Sequence, residues 1–293
     1  MKTNYHTHST FCDGKASIEA MIQDAIDSKF DILGFSSHAA FPYQSSWHLK
    51  NDKYEEYVST VRKLALQYKA QIQIQLGFEA DFIPMVLEPS KIKLSQFEPD
   101  FLIGAVHYAV NYDAPYSKGY PQEESNFPVN LFAVDGSEEE VREGLKNMFD
   151  GDGKLACQTY FAIEREMATL KDFDIIAHPD IIRKRNAAIK FFSEEDDWYR
   201  REIRATAQVF ANSGKVVEVN YGGISRGTLN DTYPSLDFLK ILNSMDVPVT
   251  ISADAHGIGQ LNNGYDFAVQ QMKKAGYRDF YYLEDKKWLQ CSL

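Results

Sequence analysis

The sequence has little cysteine and no long apolar run. Its 293 residues include three cysteines, Cys12, Cys157 and Cys291, an odd number scattered along the chain. A disulfide-stabilised secreted scaffold and a four-cysteine zinc site are therefore excluded, and a reducing cytoplasm is the expected compartment. The first residues, MKTNYHTHS, hold no apolar stretch, and nowhere do about 18 uncharged apolar residues follow one another. We expect neither a signal peptide nor a membrane span.

Basic residues are also scarce relative to acidic ones. The chain has 31 Lys and Arg against 42 Asp and Glu, a formal net charge of −11. Broad binding to nucleic acid needs clustered Lys and Arg, because much of its affinity comes from counterion release. The charge balance thus argues against a nucleic-acid-coating protein. With 44% hydrophobic and 25% charged residues, the composition is that of an ordinary globular protein.

Apolar, β-branched segments alternate with longer segments of helical periodicity, which is typical of repeated βα units in an α/β fold. Eight strands are predicted, a number that suits a barrel: 3–6, 32–36, 72–77, 101–106, 175–177, 216–219, 249–252 and 280–283. Helices are predicted at 17–29, 53–68, 138–149, 159–170, 194–212, 235–243 and 265–275. Ser17 is the predicted N-cap of the first helix.

One range, 111–136, is rich in Pro, Tyr, Asn and Gly and has no clear periodicity. We expect it to be an irregular excursion over one face of the fold, or a lid. The sequence contains no evident linker, low-complexity tract or internal repeat. The simplest expectation is therefore a single domain over residues 1–293.

Histidines and carboxylates recur where predicted strands end. Six of the seven histidines lie within or just after a predicted strand: His6, His8, His38, His107, His178 and His256. Asp13, Glu79 and Asp254 lie in similar places. In a parallel barrel the carboxyl ends of the strands meet at one mouth, so these side chains are expected to converge. Imidazole nitrogen with carboxylate oxygen suits zinc, manganese or iron, whereas calcium and magnesium sites are built mainly from oxygen.

The HxH pair of His6 and His8 has a geometric reason, since residues i and i+2 of an extended strand point to the same face. The pair alone is unspecific, because roughly one random chain in five or six with this many histidines would contain it. Its combination with Glu79 in a GxE motif and with the DxH pair of Asp254 and His256 is far more specific. The alternative is a set of buried, hydrogen-bonded histidines without metal.

These segments resemble the PHP superfamily (polymerase and histidinol phosphatase), and within it the histidinol-phosphate phosphatases, over nearly the whole chain. The similarity rests on HTHSTFCDGKAS, GFSSHAAFPYQSSWHL, IQIQLGFEADFIP, FLIGAVHY, DIIAHPDIIRKR and ISADAH. It implies a distorted (β/α)7 TIM-like barrel with three divalent transition-metal ions at its carboxyl-end mouth. The implied ligand sets are His6, His8, Glu79 and Asp254 for one ion, Glu79, His107 and His178 for a second, and Asp13, His38 and His256 for a third.

The resemblance also implies a phosphomonoester hydrolase, with L-histidinol phosphate of histidine biosynthesis as the expected substrate and Glu79, Asp254 and His256 as catalytic residues. Three divalent ions, less three ligand carboxylates and a bridging hydroxide, leave about two positive charges, which match a phosphate dianion. Attack by a metal-bound hydroxide would need no covalent enzyme intermediate.

Two arginines are candidates for binding the phosphate, because guanidinium offers a bidentate fork. Arg183 follows His178 by five residues, and Arg226 follows the strand at 216–219 beside two glycines. The alternative for Arg183 is a solvated basic run with Lys184 and Arg185.

The segment FPYQSSWHL supplies Tyr43 and Trp47 as candidates for stacking on the imidazole of the leaving group. His48 in the same segment is expected to be an exposed or locally hydrogen-bonded loop residue. Glu218 and Asn220 are expected either to hydrogen-bond to metal ligands or to fill a layer of the barrel.

Two other functions remain open from the sequence. A catalytically silent metal-binding or regulatory module would be expected to lack ligands, and none is missing here. A PHP phosphoesterase acting on nucleotides or DNA ends is disfavoured by the acidic composition.

Overall fold

The computed structural model of the protein describes residues 1–42, 45–111 and 131–293. Tyr43 and most of the predicted lid lie outside these described residues. The helices and strands follow one another as β1 Thr3–Asn4, α1 Ile18–Asp27, β2 Ile32–His38, α2 Tyr54–Tyr68, β3 Gln73–Asp81, β4 Phe101–Ala105, β5 Tyr108–Val110, β6 Leu131–Ala133, α3 Glu138–Phe149, α4 Gly153–Thr169, β7 Ile175–Ile176, α5 Asn186–Ile189, α6 Asp197–Ser213, β8 Val216–Asn220, α7 Gly222–Ser225, α8 Leu236–Ser244, β9 Val249–Ser252, α9 Tyr265–Ala275, β10 Asp279–Glu284 and β11 Lys287–Ser292.

Seven parallel strands form the central sheet, in the order β1-β2-β3-β4-β7-β8-β9. The first and last strands approach each other just beyond their ends, where Thr7 and Ala255 form a parallel bridge. His8 N–H donates to the Ala255 carbonyl at 2.8 Å, and Ala255 N–H donates to the His6 carbonyl at 3.1 Å. The sheet is thus nearly closed into the predicted seven-stranded barrel, and its strand ends face one mouth.

The barrel strands are buried on both faces, as the near-continuous apolar runs predict. Every residue of β2 is buried. The interior is filled around Phe101, and a Cβ on Gly34 or Gly77 would lie 2.7 or 2.4 Å from its ring. The helices cover the outside. Ser17 caps α1 as predicted, because its side chain accepts a hydrogen bond from Ala20 N–H.

The eighth predicted strand, 280–283, does form a strand, but its placement in the barrel is wrong. It lies within β10, which pairs antiparallel with β11. This hairpin contacts the amino-terminal end of the barrel, where Gln75 Nε2 donates to the Leu283 carbonyl and Leu283 N–H donates to the Tyr5 hydroxyl, each at 2.7 Å. β10 buries only Phe280 and Leu283. A half-buried strand can serve as a cover, whereas the barrel strands are buried except for Gln73 at the start of β3.

Two other differences from prediction have local causes. Helix α4 begins at Gly153, six residues before the predicted start, because Asp152 accepts a hydrogen bond from Leu155 N–H and caps it. The end of the predicted irregular range is regular, since β6 pairs antiparallel with β5.

No helix in the described part of the chain combines the length and the apolar character needed to cross a bilayer.

Candidate metal centre

All nine predicted ligands lie at the carboxyl ends of barrel strands or in the loops that follow. His38 and Glu79 are paired across β2 and β3, so the two side chains share one level of the barrel. Asp13 is returned to this level by a tight loop, because a Cβ on Gly14 would lie 2.4 Å from Ser9 N. Asp254 has a φ of 49°, a left-handed conformation that Asp tolerates, at the point where the chain leaves β9.

Glu79 lies in the middle of the cluster and is 1% exposed. Five imidazoles approach its two oxygens. Oε2 lies 2.9 Å from His6 Nε2, 3.0 Å from His38 Nδ1 and 3.5 Å from His8 Nε2. Oε1 lies 3.2 Å from His178 Nε2 and 3.5 Å from His107 Nε2. Each oxygen therefore serves a different set of histidines, as a carboxylate shared between two ions requires.

Two aspartates extend the cluster on the side of His256. Asp254 Oδ1 lies 3.3 Å from His8 Nε2 and 3.4 Å from His256 Nδ1. Asp13 Oδ2 lies 3.2 Å from His256 Nε2, and its Oδ1 lies 3.7 Å from His38 Nε2. Asp13 and His256 are the more exposed members, so the cluster opens to solvent at this end.

The donor atoms fit a divalent cation. His6 Nε2, His8 Nε2, Asp13 Oδ1 and Glu79 Oε2 are buried and have no hydrogen-bond partner among the described residues. Buried polar atoms are rarely left unpaired, and here the unpaired nitrogens and oxygens converge. Three groups of residues each offer ligand atoms that all lie within 4.8 Å of one another. The groups are His8, Asp13, His38 and His256; His6, His8 and Asp254; and His6, Glu79 and His178.

These groups overlap the ligand sets that the resemblance implies, but they are divided differently. His8 belongs to the group containing Asp13 as well as to the group containing Asp254, and His107 belongs to none of the three. His107 nevertheless reaches Glu79 at 3.5 Å. The structure therefore brings all nine predicted residues into one cluster.

The neighbours of the carboxylates decide their charge. Burial alone would raise the pKa of Glu79, but His6, His38 and His107 hold it well below its ordinary value. Burial likewise opposes ionisation of Asp254, whose pKa Arg226 and His6 hold well below the usual range. Both carboxylates are thus ionised at neutral pH. Burial lowers the pKa of His8 to about 3, aided by His256 and His38, so His8 is neutral and ready to donate a lone pair.

Glu218 orients two of the ligand histidines. Its Oε1 accepts from His6 Nδ1 at 2.7 Å, and its Oε2 accepts from the backbone N–H of His178 at 2.9 Å. Asn220 Nδ2 donates to the same Oε2 at 2.9 Å. Of the two alternatives for these residues, the structure favours hydrogen bonding behind the ligands. A partner on the second imidazole nitrogen fixes the ring and its tautomer.

Asp81 plays the same part for His107, and the sequence reasoning missed it. Its Oδ1 accepts from His107 Nδ1 at 2.6 Å, and its Oδ2 lies 2.7 Å from His48 Nε2. The signal that could have found it is the i, i+2 spacing from Glu79, the argument applied to His6 and His8. Of the two alternatives for His48, exposure is wrong, because its imidazole is buried against the rings of Phe41 and Trp47, and a local hydrogen bond is confirmed, because Nδ1 lies 2.6 Å from the Ser45 hydroxyl.

The solvated alternative for Arg183 is wrong, and its side chain has protein partners. The side chain is 5% exposed, so it is not a solvated residue. Its Nε lies 2.8 Å from Glu194, one terminal nitrogen lies 2.8 Å from Asp231, and the other donates to the Thr232 carbonyl at 3.0 Å. All three nitrogens therefore have protein partners. The cause is local, since residues 181–185 form a 3-10 helix directly after His178 that buries Ile181, Ile182 and Arg183.

Arg226 does reach the cluster. One terminal nitrogen lies 2.8 Å from Asp254 Oδ2, and the other donates to the Asp254 carbonyl and lies 3.3 Å from His256 Nδ1. Trp47 is also at the mouth, with its ring centroid 4.6 Å from that of His38 and 5.6 Å from that of His107. Tyr43, the other predicted stacking residue, lies outside the described residues.

The sequence model of the PHP domain matches residues 4–222. A Deinococcus radiodurans protein named probable histidinol-phosphatase is 24% identical over 278 residues, which are 93% of this chain and 93% of that protein. A Schizosaccharomyces pombe protein of the same name is 24% identical over 291 residues, 94% of this chain and 87% of that protein.

Two crystal structures share the fold. The HisK protein of Listeria monocytogenes has a TM-score of 0.75 at 18% identity, covering 91% of this chain and 99% of that one. The histidinol phosphate phosphatase of Lactococcus lactis, in complex with zinc, L-histidinol and phosphate, has a TM-score of 0.68 at 17% identity and covers 98% of both chains. Together with the match over residues 4–222, this confirms the predicted superfamily: the chain belongs to the PHP domain family.

Proposed function

We propose that this protein is a metal-dependent phosphomonoester hydrolase and that its substrate is L-histidinol phosphate. The observation that carries the proposal is the buried Glu79 carboxylate with imidazole nitrogens on both of its oxygens, between Asp254 and His107. The histidinol-phosphatase names of full-length relatives in Deinococcus radiodurans and Schizosaccharomyces pombe support the choice of substrate. So does the complex of the Lactococcus lactis enzyme with L-histidinol and phosphate.

Three divalent ions are proposed for the centre, of zinc, manganese or iron. The nine ligands named above would hold them, with Glu79 shared between two ions. When bound, such ions lower the pKa of a coordinated water and stabilise charge on phosphoryl oxygens. Glu79 and Asp254 both reach His8 Nε2, at 3.5 and 3.3 Å, and Asp254 lies 3.4 Å from His256 Nδ1, and we assign these three residues the catalytic role on this ground. Glu218 and Asp81 fix the orientation of the His6 and His107 rings by hydrogen bonds to their Nδ1 atoms.

Arg226 is the residue we assign to the phosphate. Its guanidinium is 20% exposed and lies beside Asp254 and His256, so it places a fixed positive charge at the open end of the cluster. Arg183 has no such part, because its nitrogens are engaged by Glu194, Asp231 and Thr232. Trp47 is assigned to the leaving group, since an indole beside two ligand histidines offers a face for an imidazole.

The proposal is tested by phosphate release from protein reconstituted with manganese or zinc. We expect kcat/KM for L-histidinol phosphate to exceed that for a generic aryl phosphate at least about tenfold, a gap of roughly 1.4 kcal/mol in transition-state binding. Equal rates would leave a phosphatase of broad specificity. A preference for nucleotides or DNA ends would replace histidinol phosphate as the substrate, and no release from any phosphomonoester would indicate a silent metal-binding module.

A further inference from the structure

A continuous chain of hydrogen bonds runs from the metal cluster into the segment that carries Trp47. It begins at His107 Nδ1, passes through both oxygens of Asp81, and continues to His48 Nε2 at 2.7 Å. His48 Nδ1 lies 2.6 Å from the Ser45 hydroxyl. His107, Asp81 and His48 are all buried, so water does not compete for these bonds.

The chemistry of the groups fixes the direction of every proton in this chain. Asp81 has one imidazole nitrogen within hydrogen-bond distance of each oxygen, 2.6 Å for His107 and 2.7 Å for His48, and a carboxylate held in this way accepts from both sides. Both facing imidazole nitrogens must therefore carry hydrogen. With its hydrogen on Nε2 facing Asp81, His48 accepts from the Ser45 hydroxyl through Nδ1. His107 Nε2, on the side of Glu79, is left as the nitrogen available to a metal ion.

The same chain holds the indole of Trp47. The His48 imidazole lies between two aromatic rings, with its centroid 4.5 Å from that of Phe41 and 3.7 Å from that of Trp47. The Ser45 hydroxyl also accepts from the backbone N–H of Trp47 at 3.3 Å. The backbone and the ring of Trp47 are thus both tied to His48, and the ring borders His38 and His107.

We propose that His48 is a positioning residue that couples metal binding at His107 to the placement of the Trp47 indole, with Asp81 as the link. His48 holds one oxygen of Asp81 while the other oxygen orients the His107 ring, so His48 would help to keep His107 Nε2 ready for a cation. By reciprocity, a bound cation would favour the arrangement with His48 and Trp47 in place. Metal binding therefore orders the aromatic wall at the mouth. The inference rests on the metal centre of the proposed function and not on its substrate.

Zinc alone is the probe in the test, because it is redox-inactive and absorbs no visible light. Metal-free full-length protein is titrated with zinc against a competing chelator while indole emission is followed. We expect emission to change on zinc binding and expect this change to disappear in Trp47→Phe, since Trp198 and Trp288 lie elsewhere. If the response persists unchanged in Trp47→Phe, or if wild-type protein binds zinc without any response, the coupling does not exist.

Two substitutions of His48 separate the link from mere packing. His48→Phe keeps a ring between Phe41 and Trp47 but removes the donor to Asp81, and we expect about tenfold weaker zinc binding with loss of the Trp47 response. His48→Gln keeps an amide N–H that can reach Asp81, and we expect both properties to return to within about threefold of wild type. Wild-type affinity and response in His48→Phe would overturn the proposal.

Asp81→Asn is the second variant and covers the case in which His48→Phe does not fold. It keeps the shape of the side chain and removes the charge that holds both imidazoles. We expect zinc binding weaker by about 10- to 100-fold and no Trp47 response. Circular dichroism checks that each variant is folded. An Asp81→Asn protein that retains the response would contradict the proposal independently of His48. Because no phosphate ester is present, a failure here is distinct from the absence of histidinol-phosphate hydrolysis.

Discussion

Two buried glutamates, in two regions of the molecule, have opposite electrostatic character. Glu79 at the mouth is surrounded by imidazoles that hold its pKa well below the ordinary value. Glu164 in α4 is equally buried, but its one hydrogen-bond donor in the described structure is the Tyr160 hydroxyl, at 2.7 Å, and burial with nearby Asp180 raises its pKa well above the ordinary value. Burial is common to both, so the neighbours decide which glutamate is charged.

The comparison extends to what surrounds each residue. Around Glu79, unpaired nitrogens and oxygens converge, and a cation would satisfy them together. Around Glu164 the hydrogen bond comes from Tyr160, and the neighbouring Asp180 is already paired with Arg183, which also pairs with Glu194 and Asp231. The first region is organised to receive a positive charge from outside. The second is already neutralised from within, and this difference separates a candidate site from a structural cluster.

Glu79→Gln is expected to have the largest effect, because it removes the charge that five imidazoles share. We expect loss of bound metal and a fall in kcat/KM of at least about a thousandfold, roughly 4 kcal/mol in transition-state stabilisation. Elemental analysis and phosphate release measure the two losses. Glu164→Gln is the matched control, and its metal content should equal that of wild type. Full metal content in Glu79→Gln would remove Glu79 from the centre of the site.

Substitutions of the two arginines are expected to have the next largest effects, one on stability and one on catalysis. Arg183→Ala strands buried Asp180 beside Asp231, and we expect it to lower the free energy of unfolding by about 3 to 5 kcal/mol. Arg226→Ala should instead lower kcat/KM by a factor equivalent to about 2 to 4 kcal/mol of transition-state stabilisation, because a charge-assisted contact to phosphate is lost. Denaturant unfolding and steady-state kinetics distinguish these results. An Arg183→Ala protein with normal stability and impaired kinetics would restore Arg183 as a phosphate ligand.

Glu164 is expected to make the stability of the folded protein depend on pH. Below the ordinary pKa, both folded and unfolded chains hold the proton and the residue has no influence. As the pH rises, the unfolded chain releases the proton while the folded chain retains it, so Glu164 destabilises the fold increasingly up to its raised pKa. Glu164→Gln still accepts from Tyr160 and removes this penalty.

We therefore expect Glu164→Gln to be more stable than wild type by at least about 1 kcal/mol at pH 8, a rise in Tm of roughly 2 °C, and equal to it near pH 4.5. Thermal unfolding across this pH range measures the difference. A difference that does not change with pH would show that the carboxyl group is already ionised in the folded protein.

The sequence predicts the region around Glu79 better than the region around Glu164. The predicted ligands follow a rule of position, since strand ends converge in a barrel, and His, Asp and Glu at those positions can be read directly from the sequence. The partners behind the ligands are less visible. Asp81 could have been found from its i, i+2 spacing to Glu79, but His48 reaches Asp81 from a loop 33 residues away in sequence. No periodicity reports such a contact.

The fold shows the same division. The order of strands and helices is readable from alternating patterns, and the seven barrel strands lie within a few residues of their predicted bounds. The role of the segment 280–283 was not readable, because a strand pattern does not specify its pairing partner. The partners of Arg183 are hidden in the sequence for a related reason. A basic run next to a histidine suggests a ligand, and only the tertiary structure brings Asp231 and Glu194 onto it.

Substitution of Trp47 is expected to have the smallest effect on kcat/KM, because this residue lies at the edge of the cluster around Glu79. Its indole borders His38 and His107 but coordinates nothing, so it should act on the leaving group and not on the phosphate. Aromatic stacking is worth about 0.5 to 1.5 kcal/mol, so Trp47→Leu should lower kcat/KM for L-histidinol phosphate by about three- to tenfold. An aliphatic phosphomonoester such as glycerol phosphate lacks a ring to stack, and its kcat/KM should be unchanged. Parallel kinetics on the two esters decide the matter. If both fall equally, Trp47 supports the metal cluster itself, and the mouth recognises something other than the imidazole ring.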